Sequence, residues 1–166
     1  NGENLNPNTI TLMVSVKWAG DSGSEYQGIV DKIPSPESGY GMQLSSSGGY
    51  YGFGFGTGNS YVEVTGGTPI IGEWQIVTAT YDGNLLKLYI DDQEIGSTVY
   101  QNGIISNNSP ISIGHRYTSL NEYFNGELDN IMIWDYAMSD NEIQNYLNCL
   151  PIGNEEGLLA YWNFEE

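Results

Sequence analysis

Basic residues are scarce in this chain. Among 166 residues there are only 4 Lys plus Arg against 21 Asp plus Glu, giving a formal net charge of -17. A nucleic-acid binder needs a basic footprint to neutralise phosphates, and none can be assembled from so few cations. Anionic membrane surfaces are disfavoured for the same reason, and no apolar run approaches the roughly 20 residues of a membrane span. Neither nucleic acid nor membrane insertion is therefore expected. Cysteine is limited to Cys149. This excludes a disulfide within the chain and any cysteine-based metal cluster, and leaves either an inert thiol or a bond to a cysteine elsewhere. With one histidine, His115, a Ser-His-acid triad has a single possible base.

What is abundant points to strands and tight turns. The chain carries 22 Gly and 13 Tyr, a balance that suits sheets better than helices. Its length fits one domain large enough to bury a core without a metal or disulfide. Asn1 in place of Met reads as a mature product or a module of a longer protein.

Alternating apolar segments recur along the chain: residues 9–18, 28–32, 39–44, 50–55, 60–65, 74–81, 85–90, 93–100, 111–114, 124–135 and 157–164. In the fourth, Tyr51, Phe53 and Phe55 share a face. Asp82-Gly83-Asn84 separates two apolar runs and signals a hairpin, and Asp91-Asp92 marks the next turn. Ser139-Asp140-Asn141-Glu142 is a capping box that starts one short helix with Ile143, Tyr146 and Leu147 as its apolar stripe. Many short strands with a single helix predict an all-β fold, a two-sheet antiparallel jelly-roll sandwich with one short C-terminal helix.

The order of several motifs supports a closer comparison. Trp74, Val77, Ala79, Tyr81, Asp82 and Gly83 are followed by Leu86, Leu88, Tyr89, Ile90 and Asp91. Ile111, Ile113 and Gly114 come next, and then Phe124, Gly126, Leu128, Asp129, Ile131, Ile133, Trp134, Ala137, Ser139, Glu142 and Ile143. Over residues 9–147 this series resembles the laminin-G-like jelly rolls of the concanavalin A-like lectin/glucanase superfamily. The resemblance divides the chain into a jelly-roll domain at 1–150, a linker at 151–156 and a terminal strand at 157–166. The opening strand expected of that family is absent before Thr9, and Gly157-Leu158-Leu159-Ala160-Tyr161-Trp162-Asn163-Phe164 looks like one. Such a strand has three fates: its own sheet, a neighbouring copy, or a following module. It also implies that Trp18, Trp74 and Trp134 are core residues.

Glucanases of this superfamily carry E-x-D-x-x-E on one strand. Here Glu127-Leu128-Asp129 begins the pattern and Met132 stands where the second Glu should be, so the two-carboxylate chemistry of a glycosidase is not expected. Asp129 shares strand parity with Ile131 and Ile133 and should point toward an apolar face, where a carboxylate needs a partner. The resemblance implies a structural calcium there, with backbone carbonyls completing the ligands. The alternative is an Asp that caps loop amides without a metal. Aromatic residues are the candidate sugar platform. Tyr50, Tyr51, Phe53 and Tyr61 lie on consecutive strands, of which parity sends about half to the core. The loop holding His115, Arg116, Tyr117, Asn121 and Tyr123 is the candidate glycan-binding rim, with Arg116 suited to an acidic sugar. The expected function is an extracellular, non-catalytic binding or adhesion module, secreted or at a cell surface, that recognises a glycan or glycoconjugate. The alternative is a structural module of a surface adhesin or fibre, contacting neighbouring copies by strand exchange.

Overall fold

A computed structural model describes residues 5–34, 38–116 and 121–165. Within them, eleven strands and one helix run in the order β1 Ile10–Trp18, β2 Tyr26–Asp31, β3 Tyr40–Ser45, β4 Tyr50–Gly56, β5 Tyr61–Gly66, β6 Trp74–Tyr81, β7 Leu85–Ile90, β8 Gln93–Val99, β9 Ser112–Ile113, β10 Gly126–Trp134, α1 Asp140–Tyr146 and β11 Leu158–Trp162. They form two antiparallel sheets. One has six strands in the order β11-β10-β1-β6-β7-β8, and the other has five in the order β5-β4-β3-β2-β9. This is the jelly-roll sandwich expected from the strand spacing.

Period-two alternation builds the core between the sheets. Leu12, Val14 and Val16 of β1 meet Met42 and Leu44 of β3 and Tyr51, Phe53 and Phe55 of β4 in one buried cluster. Edge-to-face packing of Phe53 on Phe55, at 5.5 Å, continues to Tyr81 at 4.8 Å. Tyr81 also donates to the Tyr100 carbonyl, so its polar end is satisfied. Along one side the sandwich closes tightly. A methyl group on Gly66 would lie 2.5 Å from the Ile95 carbonyl, and one on Gly96 would lie 2.8 Å from that of Thr65. Only glycine permits β5 and β8 to approach so closely.

The two outer faces differ. On the six-stranded sheet, Met13, Tyr89, Met132 and Trp134 form a second apolar cluster with Met138 and Ile143, and α1 covers it. The capping box starts that helix as expected: the Ser139 hydroxyl accepts from the Glu142 amide while Glu142 accepts from the Ser139 amide. Thr11, fully buried, ties the helix to the sheet by donating to the Tyr136 carbonyl and accepting from the Met138 amide. β11 lies beside β10 of its own sheet, with Ile131 opposite Trp162 and Ile133 opposite Ala160.

Two expectations are corrected here. Trp18 and Trp134 are buried, but Trp74 is 48% exposed. It opens β6 opposite Lys17, whose ammonium lies 5.8 Å from the ring, on the outer face of the six-stranded sheet. Asp129 does not share the face of Ile131 and Ile133. Between the Met13–Met132 and Ser15–Asp129 pairs, β1 advances two residues and β10 three. The extra residue is Asn130, in a left-handed conformation with φ of 47°. This bulge reverses the parity of everything before it. Leu128 therefore packs on the core and Asp129 faces outward beside Ser15.

Candidate functional site

Among the described residues no helix covers the outer face of the five-stranded sheet, and glycine occupies many of its positions. Pairing registers align two rows across it: Asp31, Gly41, Gly54 and Glu63, then Gly28, Gln43, Gly52 and Thr65. The apolar residues between them point into the core, so this face consists of bare backbone with polar side chains laid across it. A methyl group on Gly52 would sit 2.3 Å from a Glu63 carboxylate oxygen, and one on Gly54 would sit 2.9 Å from the Tyr61 ring. These glycines are what let Glu63 and Tyr61 lie flat on the sheet.

Gly28 serves the same purpose for the loop after β9. A methyl group there would come within 2.4 Å of the Arg116 amide nitrogen and 2.5 Å of the His115 carbonyl carbon. The loop is held down by backbone bonds: the Gly28 and Arg116 amides both donate to the Glu122 carbonyl, and the Phe124 amide donates to that of Gly114. Buried Gln27 supports it from beneath, accepting from the Asn125 amide and donating to the Gly20 carbonyl.

Arg116 is thereby delivered onto the sheet. Its guanidinium pairs with Glu122 at 3.0 Å and lies 5.3 Å from the Tyr26 ring. It lines a shallow depression with Asp31, Ile33, Gly41, Met42, Gln43 and Tyr61. Glu63 accepts from the Gln43 side-chain amide at 2.8 Å. Burial pushes the Glu63 carboxyl above its ordinary range, outweighing the Gln43 hydrogen bond and the Arg116 charge, which pull it down. Burial, with Glu63 and Asp31 adding to it, likewise pushes the Tyr61 phenol up. Asp31 is buried and accepts from the Ile33 amide.

The residues expected at the rim are partly brought together. His115 and Tyr123 face one another with ring centroids 4.6 Å apart, and Tyr123 is 56% exposed. The His115 Nδ1 lies 3.4 Å from the Ser112 hydroxyl. Its Nε2 is buried without a partner among the described residues. Asn121 is exposed, and its carbonyl accepts from Ser24. Tyr117 lies outside the described residues. Of the four strand aromatics, Tyr51 and Phe53 are core while Tyr50 and Tyr61 stand on the outer face. Gln43, Glu63, Asp31 and Tyr26 were not singled out from the sequence. The signal was present in glycine at 52, 54 and 56, alternating with Tyr51, Phe53 and Phe55.

Asp129, the expected calcium ligand, is engaged locally by Asn130. One carboxylate oxygen accepts from the Asn130 amide at 2.7 Å and the other from the Asn130 side chain at 3.1 Å. Among the described residues no group of three or more His, Cys, Asp or Glu gathers to hold a metal. Both carboxylate oxygens thus serve to hold the bulge.

Two facing antiparallel sheets with one short helix among the described residues make this chain a jelly roll. The chain belongs to the concanavalin A-like lectin/glucanases superfamily, whose laminin-G-type family model matches residues 1–144. It is similar to mouse pappalysin-1, with 31% identity over 77 residues that make up 43% of this chain and 5% of that protein. Its fold is similar to that of a candidate carbohydrate binding protein from Bacteroides ovatus, with a TM-score of 0.76, 17% identity, and coverage of 94% of this chain and 45% of that one. It is also similar to the CBM40 of the Ruminococcus gnavus IT-sialidase, solved with α2,3 sialyllactose. There the TM-score is 0.66 and the identity 15%, with 84% of this chain and 83% of that one covered. The chain thus spans a small part of its curated relative and less than half of the first of these structures.

Proposed function

We propose that this chain is a non-catalytic glycan-binding module whose binding surface is the outer face of the five-stranded sheet together with the Tyr123 rim. The observation that carries this reading is the combination of a glycine floor with polar and aromatic groups that converge on it. Sugar sites need aromatic surface for the C–H face of a ring and a few fixed polar groups for its hydroxyls. Tyr26, Tyr50 and Tyr61 supply the first, and Gln43, Glu63 and Arg116 the second. Known carbohydrate ligands of structurally similar domains, such as the sialyllactose bound to the R. gnavus module, favour the same class of ligand.

A non-catalytic role accords with the carboxylates of β10. Glu127 is paired with Lys17 at 2.8 Å, Asp129 is held by Asn130, and buried Met132 occupies the position of the third acid. A secreted or cell-surface location accompanies this reading, since glycoconjugates are displayed there. Among the described residues no helix is long and apolar enough to cross a membrane. Glycan-array screening tests the proposal. The wild type should bind a defined subset of glycans, and Tyr61→Ala and Gln43→Ala should each lower that signal about five- to twentyfold while folding is retained. Binding that survives both substitutions unchanged would move the site elsewhere.

The alternative, a fibre module assembling by strand exchange, has one observation in its favour. β11 stands at the end of its sheet with one edge unpaired among the described residues, and none of its five residues is charged. Under that reading, deleting residues 157–166 abolishes assembly in solution.

A further inference from the structure

The charge of the ligand can be argued from the disposition of the cations. The chain has four Lys and Arg residues in all, and each is engaged. Lys17 pairs with Glu127 and Lys87 with Glu94, both at 2.8 Å. Lys32 is fully buried, and its ammonium donates to the Asn107 carbonyl and side-chain oxygen at 2.8 and 3.0 Å. Arg116, the one cation on the proposed face, is paired with Glu122, and the ring of Tyr26 lies against its guanidinium. An acidic sugar is recognised through its carboxylate, for which a free guanidinium fork is the best partner. Here one nitrogen of that fork, Nη1, already holds a carboxylate oxygen of Glu122.

The same face presents a carboxylate to an incoming ligand. Glu63 lies across Gly52 with one oxygen accepting from Gln43, while Asp31, at the far end of the row that holds Glu63, is buried and accepts from the Ile33 amide. Carboxylate oxygens accept from sugar hydroxyls but repel a second carboxylate, and in a half-buried setting that repulsion is poorly screened.

We infer that Glu63 is a specificity-determining residue that makes this face select uncharged glycans and reject acidic ones, with Glu122 completing the rejection by neutralising Arg116. This rests on the glycan-binding reading of the same face, and it separates this chain from the sialyllactose-bound module whose fold it shares. Like charges placed against an unwanted ligand are a common device for excluding the wrong partner.

The test uses matched pairs: lactose with its sialylated form, and galactotriose with trigalacturonic acid. Each is titrated against wild type, Glu63→Gln and Glu122→Gln at low and at physiological salt. Amide shifts of Gly41, Gly52 and Gly54 report binding on this face. In each pair that binds there, wild type should prefer the uncharged member by about tenfold or more at low salt. Glu63→Gln should narrow the gap to about two- to threefold by raising affinity for the acidic member. Glu122→Gln, which frees Arg116, should raise that affinity as well. Equal or tighter binding of the acidic members by wild type would overturn the inference and leave the glycan-binding reading standing. So would a gap that neither substitution changes. Absence of binding to every sugar, here and on an array, would remove that reading and the selectivity with it.

Discussion

The outer faces of the two sheets show how one sandwich handles its two exposed surfaces. On the six-stranded sheet one patch of outward positions is large and apolar, Met13, Tyr89, Met132 and Trp134, and a seven-residue helix is laid over it. On the five-stranded sheet the corresponding positions are Gly28, Gly41, Gly52 and Gly54 among Gln43, Glu63 and Thr65. The first face removes apolar area from water, and its residues contribute stability at about 25 cal/mol per Å². The second buries little and holds charged groups partly out of water. A face that contributes so little to folding is where a ligand can be accommodated.

The strongest way to break this contrast is to remove its most buried part. Trp134→Ala should cost about 3–5 kcal/mol, because the ring also packs on Tyr136 and Tyr146 at 5.9 and 4.9 Å. Denaturant melts would measure this, and any glycan affinity of the surviving fold should be unchanged. Gly28→Ala probes the other face. Its methyl group collides with the Arg116 backbone, so a loss of about 1–3 kcal/mol is expected, together with loss of glycan binding as the rim is displaced. Tyr123→Ala separates function from stability. The ring is 56% exposed, so stability should stay within about 0.5 kcal/mol while affinity for a bound glycan falls about fivefold or more.

Glu63→Gln supplies a pH test with a definite sign. The folded-state carboxyl is raised by burial, so the native state binds more protons than the unfolded chain as pH rises above the ordinary carboxylate value. Stability therefore falls with rising pH through that window. Glu63→Gln should raise the melting temperature at pH 7 by up to about 2 °C, and the difference should vanish in acid below the ordinary Glu range. The smallest effect concerns calcium. With both Asp129 oxygens occupied by Asn130, adding EDTA and then calcium should leave the melting curve in place.

The fold was largely legible in the sequence because its signals are local. Alternation in residues 50–55 placed Tyr51, Phe53 and Phe55 on the core, Asp82-Gly83 marked its hairpin, and Ser139-Asp140-Asn141-Glu142 capped the helix. What was not legible depended on single backbone events. Parity carried Asp129 to the wrong face because nothing in Asp129-Asn130-Ile131 distinguishes a regular strand from one with an inserted residue. The exposure of Trp74 depends on its place at the start of β6, which the local pattern does not give. For the site, the loop that carries His115, Arg116 and Tyr123 was visible as a loop. The residues it meets on the sheet come from β2 to β5, and only strand order brings Tyr26, Gln43, Tyr61 and Glu63 beside it.

The central claim is that the glycine-floored face, and not the helix-covered one, is the binding surface. Amide shift mapping during titration with the glycan that binds best on an array tests it most directly. The account predicts perturbations concentrated at Gly41, Gln43, Gly52, Gly54, Glu63 and Tyr123, with Met13, Met132 and Trp134 unmoved. Perturbations clustered around Trp74 and Lys17, or around α1, with the glycine rows silent, would contradict it.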